Sequence, residues 1–346
     1  MRILNCHVHW FPRSIFEDLC KRTVGYPRAE RNANGGYNLY SVYGKIGVGG
    51  WGQNIWFDLE DHMRQMDSTG HDIDFVCSLG PFSTFFSEIP LAEGIRYARM
   101  YNDEMAAAQR RFPGRVWTSG VVPLQDTQAA IDELDRMVGE LGLIGVNIPG
   151  SIGRDNRIDQ VRLEPFYARV EKIGVPLFIH PTDNALIDMF DGYDGALHLA
   201  LGRTFDVSVT AARLILSGII ERHPKMKVFM SHTGGALPYQ AGRMDKSSAP
   251  ARLPKKASTY LKMFYTDTVS PHSMGVRFAI EFFGVDQVMF GDDYPCWSTR
   301  AALQVLDECG LSQEDKEKVM GLNARRFFGL PEPAQDIRKE ERLAVV

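Results

Sequence analysis

His7 and His9, in the run Asn5-Cys6-His7-Val8-His9-Trp10, are the first residues of this chain whose types and spacing could do chemistry. The residues from Arg2 onward read as a short apolar strand. Side chains alternate faces along a strand, so residues two apart project together. His7 and His9 therefore share one face, with Val8 turned to the other. Two imidazoles side by side make half of a divalent-metal site, although His-x-His alone equally describes two polar residues at a strand end. The layout recurs downstream. Val175 to His180 is an apolar run ending in His, and Lys227 to His232 is another. Val288 to Asp292 and Asp293 is a third, ending in acid. Buried strands that each finish in a metal-type side chain are what the mouth of a β/α barrel requires.

The elements that must position these residues alternate regularly. Strands are expected at 72–79, 116–124, 143–150, 175–180, 227–232, 263–267 and 288–293, after the first at 2–9. Helices are expected from Asp58, a good N-cap, to Ser68, then at 91–111, 126–141, 163–173, 206–222, 235–245, 274–283 and 301–309, with closing helices over 312–328. About eight strand–helix units without a composition break argue for a closed parallel barrel over an open sheet. The expected fold is α/β, a (β/α)8 TIM barrel in a single domain over 1–330, with a long insertion after strand 1 and extra C-terminal helices. The insertion, 11–56, is rich in Gly, Asn and Tyr and reads as a lid or small hairpin. Its Tyr37, Tyr40 and Tyr43 either flank a planar substrate or pack the hairpin. The tail 331–346, with Pro331, Pro333 and mixed charge, either reaches a partner subunit or stays disordered.

Composition narrows the function. The chain has 346 residues, 44% hydrophobic and 24% charged, enough for a large core. A formal net charge of -4 with no basic cluster argues against nucleic acid as a partner. No apolar run approaches a membrane span, and Met1-Arg2-Ile3 leads straight into a strand, which leaves no room for a signal peptide. Five scattered cysteines, Cys6, Cys20, Cys77, Cys296 and Cys309, fit reduced thiols in a cytoplasmic protein. None has zinc-finger spacing, and Cys6 is expected to pack in the barrel wall. No dinucleotide fingerprint follows the first strand, which disfavours a Rossmann fold.

Five motifs occur in order along nearly the whole chain: His7-x-His9, His180-Pro181-x-Asp183, Ser231-His232-x-Gly234-Gly235, Gly291-x-Asp293-Tyr294-Pro295 and Asn323-Ala324-x-x-Phe327. With them the chain resembles the amidohydrolase superfamily, in the branch of aminocarboxymuconate semialdehyde decarboxylase and the resorcylate-type decarboxylases. The resemblance implies His7, His9, His180 and Asp293 as ligands of one divalent ion, zinc or manganese, with iron or a second metal as alternatives. Strand alternation lets only one of Asp292 and Asp293 face the axis, and the resemblance selects Asp293. It implies that His232 transfers protons rather than binding metal; an imidazole titrates near neutrality and suits either direction. Asp183 is then a loop-orienting carboxylate. Arg243 is implied to reach into a neighbouring subunit's site and hold a substrate carboxylate, which makes the active unit a homodimer or homotetramer; otherwise it is a surface arginine in an ordinary ion pair. Trp56, His198 and Arg203 are the other residues expected near substrate.

The resemblance implies metal-dependent, non-oxidative decarboxylation of an aromatic or muconate-like carboxylic acid, with no organic cofactor. The sequence departs from the aminocarboxymuconate enzyme in the first loop, where that enzyme carries a substrate-binding arginine. Between Asn32 and Met63 this chain has no Arg, and Lys45 is its only Lys. A lysine does not replace the bidentate guanidinium fork, which argues against that particular substrate. The same residues would support metal-assisted hydrolysis of an amide, lactone or C–C bond, with His232 or Asp293 as base. Oxygen chemistry at a two-metal centre would need Asp61 and His62 as additional ligands; without that role His62 is expected to be a solvated helix residue. A non-catalytic scaffold holding one structural ion is the remaining reading.

Overall fold

Short runs of Val, Ile, Leu and Phe become strands buried on both faces, as a parallel sheet requires. The first, β1 (Ile3–His9), is buried at every residue. This computed structural model describes residues 1–41, 44–46, 54–80, 89–152, 156–182, 187–190 and 192–331. Tyr43, Asp183 and the segment 332–346 lie outside the described residues.

After β1 come α1 (Arg13–Leu19) and a three-stranded antiparallel sheet of β2 (Arg28–Arg31), β3 (Tyr37–Ser41) and β4 (Gly44–Ile46). Helix α2 (Leu59–Asp67) starts where its cap predicts, with the Asp61 N–H donating to the Asp58 carboxylate at 3.0 Å. Then follow β5 (Ile73–Ser78), α3 (Leu91–Arg111), β6 (Val116–Val121), α4 (Thr127–Gly139) and β7 (Gly145–Ile148). A small ribbon, β8 (Ser151–Ile152) with β9 (Asn156–Arg157), precedes α5 (Glu164–Ile173) and β10 (Leu177–Ile179). Next are α6 (Arg203–Leu216), α7 (Ile219–Arg222), β11 (Val228–Met230), α8 (Leu237–Ser247), α9 (Ala257–Leu261) and β12 (Tyr265–Asp267). The chain ends with α10 (Ser273–Phe283), β13 (Val288–Met289), α11 (Thr299–Asp307), α12 (Gln313–Glu317) and α13 (Asn323–Phe328). The single helix predicted over 206–222 is divided into α6 and α7, because Gly218 adopts φ 78 between them.

Eight strands lie side by side in the order β1-β5-β6-β7-β10-β11-β12-β13, every paired neighbour parallel. The ring is completed by a parallel bridge between Val8 and Tyr294. There the N–H groups of Cys6, His9 and Asp293 donate to the carbonyls of Phe290, Tyr294 and His7 at 2.8, 2.7 and 2.9 Å. This is the (β/α)8 TIM barrel the sequence predicts.

Most of the core lies between barrel and helices. A second cluster, Leu4, Cys6, Val76, Phe178, Phe229 and Met289 with Ala324 and Phe327, draws on alternate strand residues and fills the barrel interior above α13. Leu4 and Cys6 thus face inward, and so do His7 and His9. Strict alternation forbids both, and a register shift between Asn5 and Val8 reconciles them. At the barrel floor the Arg325 and Arg2 guanidinium groups donate to the buried Asp74 carboxylate at 2.8 and 2.7 Å, tying α13 to β5.

Candidate metal centre and active site

The first residues past the inner cluster are polar. His7 and His9 end β1, His180 follows β10, His232 follows β11, and Asp293 follows β13, so four strand ends converge. Ligand atoms of His7, His180, His232 and Asp293 all lie within 4.8 Å of one another. His9 joins them from the side: its Nε2 is 3.2 Å from His7 Nε2 and 2.8 Å from Asp293 Oδ1. His7 Nε2 is 3.4 Å from Asp293 Oδ1, and His232 Nε2 is 3.5 Å from Asp293 Oδ2. The sequence set had His9 where this tighter group has His232; five side chains, not four, share the space.

The four rings are held by their other nitrogens. His7 Nδ1 meets Asp267 Oδ2 at 2.7 Å, and His9 Nδ1 meets Ser78 Oγ at 3.0 Å. His180 Nδ1 is 2.9 Å from the Pro181 carbonyl, and His232 Nδ1 is 3.1 Å from Ser231 Oγ. With Nδ1 occupied, each ring presents Nε2 to the centre, the arrangement that fixes tautomer and aim in metal-binding histidines. His180 Nε2 is buried without a hydrogen-bond partner. Such an orphan costs about 1–3 kcal/mol unless something else takes its lone pair, and a cation does so. The group therefore fits a single divalent metal ion.

The electrostatics agree. Burial, with the neighbouring His9 and His7, holds His180 well below its ordinary value, and burial brings His9 down to about 4, so both are neutral at pH 7. Burial acts the same way on His7, but the Asp293 and Asp267 carboxylates outweigh it and raise its pKa. Burial opposes ionisation of Asp293, yet His7, His232 and His9 win and hold it well below the carboxylate range. The centre thus holds a preformed anion, Asp293, beside the neutral lone-pair donors His9 and His180. Two glycines let the rings sit this close. A Cβ on Gly80, at φ 60, would lie 2.7 Å from His9 Cε1, and one on Gly291 would lie 2.9 Å from His7 Cβ.

The other sequence expectations divide. Asp292 is buried off the centre; its Oδ1 accepts the Tyr294 N–H at 2.9 Å, and burial raises it to about 6. Trp56 is buried, its indole stacked on Phe11 at 5.2 Å and parallel to His9 at 6.5 Å. Tyr37 packs against Phe16 and Phe57, and the Tyr40 hydroxyl donates to Glu30 at 3.1 Å, so both serve the insertion. His198 opens a π-helical segment (His198–Gly202) that leads into α6, its ring near Phe190 and Gly202, and Arg203 is buried at the start of α6. Arg243 is exposed on α8 and, among the described residues, makes no ion pair.

Asp61 and His62 are not brought to the centre. The Asp61 carboxylate takes a bond from Arg64 at 3.1 Å. His62 is fully buried rather than solvated, with Nδ1 2.8 Å from the Asp58 carbonyl and Nε2 2.9 Å from the His9 carbonyl. Nε2 thus fastens α2 to the end of β1, while Nδ1 turns back on the helix's own N-cap. Sequence reasoning missed Asp267, Ser78 and Gly80, and it singled out Gly291 in a motif without its packing role against His7. Of the three that were missed, Asp267 left a signal, since Met263 to Asp267 ends an apolar run in a ligand-type residue, as the histidine strands do.

Among similar proteins is the gamma-resorcylate decarboxylase of Rhizobium sp. (strain MTP-10005), 30% identical over 294 residues, which cover 80% of this chain and 89% of that protein. The 2-amino-3-carboxymuconate-6-semialdehyde decarboxylase of Dictyostelium discoideum is 29% identical over 285 residues, 80% of this chain and 78% of that protein. The crystal structure of 2,6-dihydroxybenzoate decarboxylase from Rhizobium superposes with a TM-score of 0.77 at 26% identity, covering 95% of this chain and 99% of that one. The amidohydrolase family profile matches residues 5–330. A match that runs from the strand bearing the first two imidazoles to the helix under the barrel floor places this chain in the amidohydrolase family.

Proposed function

We propose that this protein catalyses metal-dependent, non-oxidative decarboxylation of an aromatic or muconate-like carboxylic acid. The observation that carries the reading is the convergence of imidazoles whose Nδ1 atoms are already committed, leaving Nε2 lone pairs around one carboxylate. Relatives that are decarboxylases of such acids support it. His7, His9, His180 and Asp293 would hold the ion, zinc or manganese by donor type. When bound, the ion supplies charge that orients the substrate carboxylate with a neighbouring oxygen and stabilises charge developing in the transition state.

His232 is the proton carrier in this reading. It is 9% exposed, whereas His7, His9 and His180 are at 0–1%, so of the four rings it is the one open to a bound substrate and to solvent. Its Nε2–H donates to the carbon that bears the carboxylate. The C–C bond to the carboxylate then breaks, its electron pair returns to the ring, and CO2 leaves. His232 regains a proton from solvent. The balance is RCO2⁻ + H⁺ → RH + CO2, with no water or oxygen consumed.

Arg243 supports a dimer as the active unit. It shares one face of α8 with Tyr239, four residues earlier and 80% exposed, whose ring lies 6.5 Å from the exposed Phe278 of α10, itself four residues after the exposed Met274. A second copy covering this apolar face would leave Arg243 free to grip a carboxylate in the partner's site. In the same reading Trp56, at the end of the insertion, walls the His9 side, parallel to the ring at 6.5 Å.

The test is turnover of ortho-hydroxybenzoic acids, 2,6-dihydroxybenzoate first, by protein reloaded with zinc or manganese. Stoichiometric CO2 without oxygen uptake is expected, and loss of both metal and turnover in His180→Ala. Hydrolysis of an ester or amide panel with no CO2 from any acid would replace decarboxylation by hydrolysis. Two redox-active ions per chain with oxygen consumption would replace it by oxygen chemistry.

A further inference from the structure

We infer that Asp267 is a positioning residue that sets the aim of the metal site and of the proton-carrying imidazole together. Four N–H groups face its two oxygens. Oδ2 accepts from His7 Nδ1 at 2.7 Å and from the His232 N–H at 3.1 Å. Oδ1 accepts from the Thr233 N–H at 2.9 Å and the Val269 N–H at 3.0 Å. The carboxylate is fully buried, so water supplies none of these bonds. One end therefore holds His7 in the Nδ1–H tautomer, the form that offers Nε2 to a cation.

The other end holds strained backbone. His232 and Thr233 have φ 57 and 52, a left-handed pair that side chains with a Cβ adopt at a cost. Hydrogen bonds from both N–H groups to one carboxylate keep that turn, and the turn places the His232 ring 3.5 Å from Asp293 Oδ2. An uncharged isostere cannot do both jobs. Asparagine has one accepting oxygen and one NH2 group, so either orientation points N–H at N–H. With the oxygen toward His7 the turn loses its cap at Thr233 and Val269. With the amide reversed, His7 is pushed to the tautomer whose Nε2 carries the proton and binds no metal.

This inference rests on the metal reading above, and its experiment separates the two. The probe is cobalt(II), read by chelator competition and by the visible spectrum of the loaded protein. Wild-type protein that takes up no stoichiometric cobalt refutes the metal reading itself. Given wild-type binding, Asp267→Asn is expected to weaken cobalt affinity about 10–100-fold and to change the spectrum. Turnover at saturating cobalt is expected to fall about tenfold or more. Adding Thr233→Gly, which relieves the left-handed penalty, should restore turnover at saturating cobalt but not affinity. Wild-type affinity and spectrum in Asp267→Asn overturn the inference, as does wild-type turnover at saturating cobalt. Recovery of affinity by Thr233→Gly overturns it too. Should Asp267→Asn not fold, Asp267→Glu keeps two accepting oxygens displaced by one methylene. It is then expected to bind cobalt more weakly with an altered spectrum, and unchanged binding is the refuting result.

Discussion

Gly80 and Gly70 both have positive φ, 60 and 83, but only Gly80 lies against the metal centre. Substituting alanine at each separates the cost of the backbone from the cost of crowding His9. At Gly70 a Cβ meets nothing within 4 Å, so Gly70→Ala bears only the left-handed penalty, about 1–2 kcal/mol. At Gly80 the same penalty applies, and the Cβ falls 2.7 Å from His9 Cε1 and 2.8 Å from Nδ1. Ordinary carbon contacts lie at about 3.5–4.0 Å, so ring or strand must give by roughly an ångström. Retreat of the ring is hindered by Trp56, stacked parallel to it, and by the Ser78 hydroxyl on Nδ1. Overpacking of this kind costs about 1–3 kcal/mol. If His9 is a ligand, that second cost falls on metal binding, and at about 1.4 kcal/mol per tenfold it predicts a loss of roughly 5- to 150-fold in affinity. Urea unfolding of the metal-free variants and chelator competition for cobalt measure the two parts. Gly70→Ala should lose stability and keep metal affinity; Gly80→Ala should lose both. Metal affinity in Gly80→Ala within a factor of two of wild type would refute the placement of His9 at the centre.

Three further outcomes are expected. Chelation of the metal-loaded protein should lower Tm, because an ion at 100 times its Kd adds about 2.7 kcal/mol to the folded state; an unchanged Tm, checked by calorimetry, would mean the site contributes nothing to folding. In the metal-free protein, burial holds His9 at about 4 against an ordinary 6.5. A depressed folded pKa gives stability that is complete above the unfolded value and is lost as pH falls below it. Wild type should therefore lose on the order of 3 kcal/mol between about pH 6.5 and 4 relative to His9→Gln, read from urea midpoints at several pH values. A difference that stays flat, or grows toward acid, contradicts the burial argument. At the barrel floor Arg325→Met should destabilise by about 3 kcal/mol, since it leaves Asp74 buried with only the half-exposed Arg2 as partner; Asp74→Leu in the same background should recover much of that loss.

The strand ends were legible because ligand-type residues interrupt apolar runs, and a run that stops in His needs a reason. Asp58 was legible as a cap for a local reason, its carboxylate being three residues before the N–H it accepts. What stayed hidden was non-local or masked by composition. In β1 every residue is buried, so polarity carries no phase, and the register shift after Asn5 leaves no trace in the sequence. His62 has charged neighbours, Glu60, Asp61 and Arg64, which are compatible with the solvated position expected of it. Yet Leu59, His62 and Met66 are the buried residues of α2, and their spacing is the stripe of an amphipathic helix. The period held the answer, and the charged neighbours obscured it. Asp267 was unassigned because its partners come from β1 and from the turn after β11, far away in the chain.

The backbone argues that barrel and site are one device. Five non-glycine residues among those described have positive φ, and three of them, His232, Thr233 and Asp293, belong to the centre or its support. Each left-handed residue costs about 1–3 kcal/mol, so three adjoining ones persist only where their surroundings over-determine them. The bonds that do so are also the bonds that close the fold. The Asp293 N–H donates to the His7 carbonyl, and the His9 N–H to the Tyr294 carbonyl, at the seam where the last strand meets the first. Asp267 at the end of β12 supplies the rest. A lesion at that seam should therefore disturb ligand geometry before it unfolds the barrel. By the same argument, metal binding should tighten a seam hundreds of residues apart in sequence, and protection of the Asp293 and His9 amides from hydrogen exchange should rise on metal loading. Amides that exchange at the same rate with and without metal would separate the seam from the site and defeat the argument.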